Sequence, residues 1–306
     1  MRNVVVTGAN GFVGSNLCKY LIKNKVNVYA FVRNKKKIAN IQLSNFLKIY
    51  EMDLSTYNDK SCVDISDIDV FYHFAWEYSN GPRLADSRVQ IQNIINSCQA
   101  IELAKKINAK KFIFAGTINE YELAGYKDND LSMQRASHIY AISKMASDYM
   151  CKVLAKEYQI PYNKAILGSI FGPGDRSRRI HNVFIKHMLE GKCPLLTAGE
   201  SLYDWVYIDD AVVMLSEIGK NSINFKDYYI GHNLLKKFKE YLEEVRDILS
   251  PGLMLTFGSR KDDLLVDYDN INIFSVYEDT GIKLSSNFKD DILKTVEWIN
   301  SIDFKI

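Results

Sequence analysis

The feature that most constrains this chain is a glycine-punctuated turn near its start, Thr7-Gly8-Ala9-Asn10-Gly11-Phe12-Val13-Gly14, directly after the β-branched run Val4-Val5-Val6. Val4 to Thr7 reads as a strand and Phe12 to Ile22 as a helix. A strand, a turn without Cβ atoms and a helix N-terminus together aim backbone N–H groups and the positive end of a helix dipole at one point. That point suits a pyrophosphate. The spacing is Gly-x-x-Gly-x-x-Gly, and a plain structural turn is the alternative reading. On the nucleotide reading, Gly8, Asn10, Gly11, Phe12, Val13 and Gly14 are the candidate cofactor contacts.

The strand–helix alternation continues. Val28 to Val32, Lys48 to Tyr50, Asp69 to Ala75 and Phe112 to Ala115 are apolar runs of strand length, and Asp86 to Ile107 is a long helical stretch. Continuous apolar strands alternating with helices predict an α/β fold, a parallel sheet covered on both faces. The texture changes near residue 170, where Gly172-Pro173-Gly174 breaks the pattern and Pro194, Gly199, Pro251 and Gly252 punctuate shorter elements. The division expected is 1–168 for a dinucleotide-binding domain, with 203–230 returning to it, and 169–306 for a smaller, intertwined lobe. Tyr203 to Ile208 is expected as a strand, and Phe288 to Ile302 as an amphipathic helix bearing Ile292, Val296 and Ile299 on one face.

Composition excludes several function classes. With 47% hydrophobic and 25% charged residues over 306 positions, the chain can bury a large core and is not a disordered polymer. Lys and Arg number 39 against 37 Asp and Glu, so no bulk charge argues for a nucleic-acid or membrane partner. Cysteines at 18, 62, 98, 151 and 193 are scattered and without metal-ligand spacing, which predicts reduced thiols, a cytoplasmic location and no metal. No 18-residue apolar run exists, and the apolar start is too short for a signal segment.

Three further signals carry chemistry. Where an acid would accept the ribose hydroxyls of NAD after the second strand, the chain has Val32, then Arg33, with Lys35, Lys36 and Lys37 following. Positive charge there suits a 2′-phosphate and favours NADP(H) over NAD(H); a solvated basic helix start is the alternative. Tyr140-Ala141-Ile142-Ser143-Lys144 sets a phenol and an ammonium at i and i+4, one face of a helix. A Lys⁺ there is expected to lower the phenol's pKa from about 10 and make it a usable acid or base. The spacing also arises by chance as a surface pair. Finally, Phe112 to Gly116 leads into Thr117 at a strand's carboxyl end, where its hydroxyl can meet a substrate carbonyl; a turn cap is the alternative.

Taken together these residues resemble the extended short-chain dehydrogenase/reductase family, the NAD-dependent epimerase/dehydratase group of nucleotide-sugar epimerases, dehydratases and ketoreductases. The resemblance implies a Rossmann-type doubly wound sheet and a substrate lobe. Asp53-Leu54 looks like the pair that meets the adenine, His73-Phe74-Ala75 like the strand-four end beside the cofactor, and Asn93 falls where the family has a helix-four Asn. Thr117, Tyr140 and Lys144 match the catalytic Ser/Thr–Tyr–Lys set. Phe171 to Gly174, Asp204 to Asp210 and Phe257 to Asp263 resemble later elements. Through Asp204 and Arg260 they imply a hold on a nucleotide-diphosphate sugar. Gly281 and Val296-Glu297-Trp298 fit the family's ending. The helices around 86–107 and 138–158 imply a homodimer, although the same apolar residues would also serve to pack on the sheet.

The departures narrow the reaction. Tyr203 stands where an Arg usually precedes Asp204; Arg176, Arg178 and Arg179 are candidate replacements, with a solvated loop the equal alternative. The dehydratases' Asp-Glu pair after the catalytic Thr is here Ile118-Asn119, with Glu120 one residue off. The resemblance therefore implies an NADPH-dependent reductase of a nucleotide-linked 4-keto-6-deoxysugar. An NAD-dependent 4-epimerase, a reductase of non-nucleotide ketones like the plant flavonoid reductases, and a non-catalytic NADP-binding sensor are the alternatives. Trp76 and Glu77, with Ser79 and Asn80 leading into Gly81-Pro82, read as a loop lining the sugar pocket, with an aromatic packing residue on a plain loop the equal alternative.

Overall fold

The computed structural model describes residues 1–35, 41, 43–57, 63–125, 137–260, 266–284, 287–302 and 304. Lys36, Lys37, Cys62 and the Lys261-Asp262-Asp263 run lie outside the described residues.

Eleven strands are formed among them: β1 (Asn3–Thr7), β2 (Asn27–Val32), β3 (Leu47–Glu51), β4 (Val70–His73), β5 (Phe112–Thr117), β6 (Tyr162–Leu167), β7 (Ser169–Phe171), β8 (Leu202–Tyr203), β9 (Trp205–Tyr207), β10 (Asp227–Ile230) and β11 (Lys236–Lys237). The α-helices are α1 (Phe12–Lys23), α2 (Ser87–Lys106), α3 (Ser137–Tyr158), α4 (Ile180–Leu189), α5 (Ile208–Asn221), α6 (Phe238–Leu249), α7 (Ser275–Thr280) and α8 (Phe288–Ser301). Seven strands make one parallel sheet in the order β10-β6-β5-β4-β1-β2-β3. The chain runs outward from β1 to β3, then returns to the other side of β1 with β4. The carboxyl ends of β1 and β4 therefore flank a topological switch point, where such sheets bind ligands.

Strand alternation builds two cores. Val4 and Val6 face α1 and α5 with Leu17, Leu21, Leu215 and Ile218, whereas Val5 faces the α2 and α3 side with Ile101, Leu103, Cys151 and Ala155. Burial on both faces explains why the strands read as unbroken apolar runs. At α2, Asp86 caps the first turn by accepting from the Val89 N–H, and at α8, Asn287 accepts from the N–H groups of Lys289 and Asp290.

Two expectations differ in detail. The run 69–75 forms a strand only over Val70–His73, because the Thr7 hydroxyl accepts from the N–H groups of Phe74 and Ala75 at 3.1 and 3.0 Å and turns them out of the ladder. The run 203–208 is not one strand. Tyr203 ends β8, which pairs antiparallel with β11, whereas β9 pairs parallel with β7, and Ile208 already starts α5. Asp204 between them is fully buried and accepts from the His232 N–H. The element from this region that joins the main sheet is β10. Residues beyond the sheet share the α1-side core: Phe171, Trp205, Tyr241 and Phe288 pack as an aromatic cluster continuous with it. Among the described residues no helix is long and apolar enough to cross a membrane.

Candidate active site

A cleft of about 1380 Å³ opens over the carboxyl ends of β1, β2, β4 and β5 and is closed on its far side by residues 167–170 and 175–181. The glycine turn forms one end. Gly8 has φ +66°, a conformation that strains an L side chain, and a Cβ there would stand 2.8 Å from the Ala75 N. A Cβ on Gly14 would press on the Gly8 carbonyl oxygen. Helix α1 begins with no side-chain cap and no acid in its first turn. Its first N–H groups are thus directed at the cleft, which also receives Asn10, Gly11, Phe12, Val13, Leu54 and Ala75. A close-packed glycine turn and an uncapped helix start are what a dinucleotide pyrophosphate requires, so the residues present fit that group.

Arg33 stands at the same end, where its Nη1 lies 3.2 Å from Glu77 Oε1 and the pair remains largely exposed. Glu77 is held in turn: its N–H donates to Asn93 Oδ1, and Asn93 Nδ2 donates to the Glu77 carbonyl, both at 2.9 Å.

The three residues expected as the catalytic set come from two elements that meet at the middle of the cleft. β5 ends in Thr117, and α3 carries Tyr140 and Lys144 one turn apart; all three are buried and all line the cleft. Here the structure corrects an electrostatic expectation. Lys144 Nζ donates to the Ala115 carbonyl at 2.9 Å and lies over the Trp76 ring, 3.8 Å from its centroid. Burial pushes the ammonium down to about 7, with Glu120 and the Cys151 thiol opposing the fall. The Tyr140 phenol is pushed up to about 12, also by burial, against a downward pull from the Arg179 guanidinium and a hydrogen bond with Thr117. Desolvation outweighs the neighbouring charge. The phenol therefore holds its proton near neutrality and is equipped as an acid.

Glu120 is committed elsewhere. Its Oε1 accepts from the Thr117 N–H at 2.8 Å, and its Oε2 pairs with Lys164 Nζ at 3.1 Å in a group that includes buried Asp148 and half-buried Asp227. The residues after Thr117 that do reach the cleft are Ile118 and Asn119. Arg176, Arg178 and Arg179 line the far wall beside Tyr203, Asp175 and His181. Burial drops His181 to about 3 and keeps it neutral.

Four candidate residues do not line the cleft. Asp53 caps the short turn at Leu54–Thr56 by accepting from the N–H and hydroxyl of Ser55. Asn93 is buried and spends its amide on the Glu77 backbone. Asp204 is sealed between β8 and β9, where burial raises it to about 6. Arg260 lies outside the cleft wall, its N–H donating to the Leu196 carbonyl. Trp76 and Glu77, with Ser79 and Asn80, line the cleft, in keeping with the reading of their loop as a pocket wall. Their place after the strand-four run was the one available signal.

The family described as the NAD dependent epimerase/dehydratase family matches residues 4–231. This chain belongs to that family. Its type is the extended short-chain dehydrogenase/reductase, an enzyme family of nucleotide-sugar modification that binds NAD(H). Among curated relatives, CDP-abequose synthase of Salmonella typhimurium is 25% identical over 99% of this chain and 94% of its own. dTDP-glucose 4,6-dehydratase of the same organism is 22% identical over 96% and 92%. Among solved structures, UDP-glucuronic acid 4-epimerase from Bacillus cereus, in complex with UDP-glucuronic acid and NAD, superimposes with a TM-score of 0.78 at 23% identity, covering 98% of this chain and 99% of that one. The Bordetella bronchiseptica enzyme WbmF in complex with NADH gives 0.78 at 20%, covering 98% and 92%. These likenesses describe the fold of an extended short-chain dehydrogenase/reductase.

Proposed function

We propose that this enzyme reduces the 4-keto group of a nucleotide-linked 4-keto-6-deoxysugar, with NADPH as reductant. The observation that carries the reading is the pairing of Glu120 with Lys164. With that acid turned from the cleft, Thr117 and Tyr140 are not followed by a carboxylate able to expel water, as dehydration needs, and carbonyl chemistry remains. The likeness to CDP-abequose synthase supports the same class.

The glycine turn, with Asn10, Leu54 and Ala75, would hold the dinucleotide, and Arg33 a 2′-phosphate. The bound cofactor supplies the hydride. The chain's own residues do the rest. Thr117 donates a hydrogen bond to the keto oxygen, and Tyr140 gives its phenolic proton to the same oxygen as it becomes a hydroxyl. Lys144 stabilises the phenolate left behind and takes its second proton donor to the cofactor ribose. Arg176 and Arg179 pair with the substrate's diphosphate.

An NAD-dependent 4-epimerase is the second reading. Glu77 favours it by already occupying Arg33, which a 2′-phosphate would have to recruit. A homodimer and a cytoplasmic location belong to the proposal. Ile91, Ile95, Ile142, Met150 and Val153 form exposed apolar surface on α2 and α3, and Cys18, Cys98, Cys151 and Cys193 are unpaired. The deciding experiment incubates the protein with NADPH and dTDP- or CDP-4-keto-6-deoxyglucose and identifies the products. One NADP⁺ per 6-deoxysugar formed is the expected stoichiometry; an isomerised sugar with no net cofactor consumption would move the assignment to the epimerase.

A further inference from the structure

Three contacts converge on Trp76, in the segment that follows β4. Its Nε1–H donates to Gln90 Oε1 at 2.9 Å. The Tyr140 ring meets it edge-on, with centroids 6.0 Å apart and planes at 88°. Lys144 Nζ stands 3.8 Å from its ring centroid. Gln90 is fully buried, and its Nε2 donates to the Tyr78 carbonyl at 3.2 Å, so rotating the indole breaks a part-buried hydrogen bond to a fixed acceptor. Helix α2 thereby fixes the ring, and the ring touches both cleft residues of α3.

The Lys144 ammonium has need of such a partner. It is buried, carries three donors, and makes its hydrogen bond to the Ala115 carbonyl. A buried cation is costly unless it is compensated. Among the titratable groups around it, Glu120 gives the largest support, without a direct bond to the ammonium. Glu120, on the turn after β5, is taken up by Lys164; the Cys151 thiol lies on α3; neutral His73, on β4, is itself opposed by the Lys144 charge. The ring faces of Trp76 and, at 5.0 Å, Phe114 supply the remaining favourable field, and an indole has the stronger quadrupole.

We propose that Trp76 is a positioning residue whose indole face keeps the Lys144 ammonium oriented and charged in the cleft before any ligand arrives. The catalytic consequence rests on the roles given to Tyr140 and Lys144 above; the contact itself does not. Loss of the ring face removes a stabiliser of the charged form, so Lys144 would lose its proton at lower pH, and the Tyr140 ring would lose its edge-on neighbour.

The chain has three tryptophans, so a ¹H–¹⁵N spectrum of the cofactor-free protein carries three indole signals, and W76F identifies the one belonging to Trp76. Followed from acid to alkaline pH, that signal should inflect as Lys144 deprotonates, and the inflection should vanish in Lys144→Met. In turnover, W76L should lose about tenfold in kcat with little change in KM, and its alkaline limb should move to lower pH, while W76F, which keeps a ring face, should recover most of the loss. An indole signal with no Lys144-dependent inflection overturns the proposal, as does a W76L pH profile that superimposes on the wild type. If W76L does not fold, the wild-type titration still decides. Turnover retained in Tyr140→Phe would instead sink the functional reading and leave the spectroscopic result intact, so the two failures are separable.

Discussion

Lys144 is tied to the backbone of Ala115, 2.9 Å from Nζ to the carbonyl oxygen. A helix residue is thereby anchored to strand β5 one turn from Tyr140, so the ammonium and the phenol are held from separate anchor points. The phenol beside it is raised by burial and not acidified.

Lys144 should leave a signature in stability against pH. Its folded-state value lies near 7, against 10.5 for an ordinary lysine. Between those values the unfolded chain binds more protons than the native one, so stability contributed by this site rises as pH rises through that window. Lys144→Met should lack the rise. Urea midpoints at pH 7 and pH 9 for both proteins measure it; parallel changes in the two would show that the site does not titrate in this way.

Tyr140→Phe deletes the proton donor and leaves the ring and its packing on Trp76. We expect kcat to fall by at least about a hundredfold with the melting temperature nearly unchanged. Turnover close to wild type would remove Tyr140 from the acid role.

Arg33→Ala should weaken NADPH binding by about tenfold and NADH binding far less, since a charge-assisted contact to the 2′-phosphate exists in only one of the two cofactors. Calorimetric titration with each dinucleotide reads the difference. Equal losses would assign Arg33 to holding Glu77 and favour the NAD reading.

Gly14→Ala places a methyl group against the Gly8 carbonyl oxygen, backbone that cannot swing aside. The turn must shift, at a cost of about 1–3 kcal/mol in stability. Dinucleotide binding, followed by tryptophan fluorescence, should be lost or strongly weakened. Full affinity in this variant would mean that the turn does not cradle the pyrophosphate.

The apolar stripe of α2 and α3 predicts the assembly. Val153→Glu sets a charge in the middle of that surface and should convert a dimer to a monomer in light scattering after size exclusion. An unchanged mass for variant and wild type would place the subunit contact elsewhere or abolish it.

The sequence alone determined the glycine turn, the parallel sheet and the residues Thr117, Tyr140 and Lys144, because each is written in a short run: a strand followed by glycines, apolar strands with helices between, an i, i+4 pair. The remaining features depend on partners far away in the chain. Glu120 turns from the cleft because Lys164, 44 residues on, receives it. Asp204 is sealed because residues 227–232 return over it, His232 N–H donating to its carboxylate from 28 residues away. Asn93 works on the Glu77 backbone instead of lining the cleft. Trp76 covers Lys144 because α2 and α3 pack side by side on one face of the sheet. Burial also fixed the sign of the Tyr140 shift: a phenol enclosed by the fold loses more from desolvation than the Arg179 guanidinium and the Thr117 hydroxyl can return.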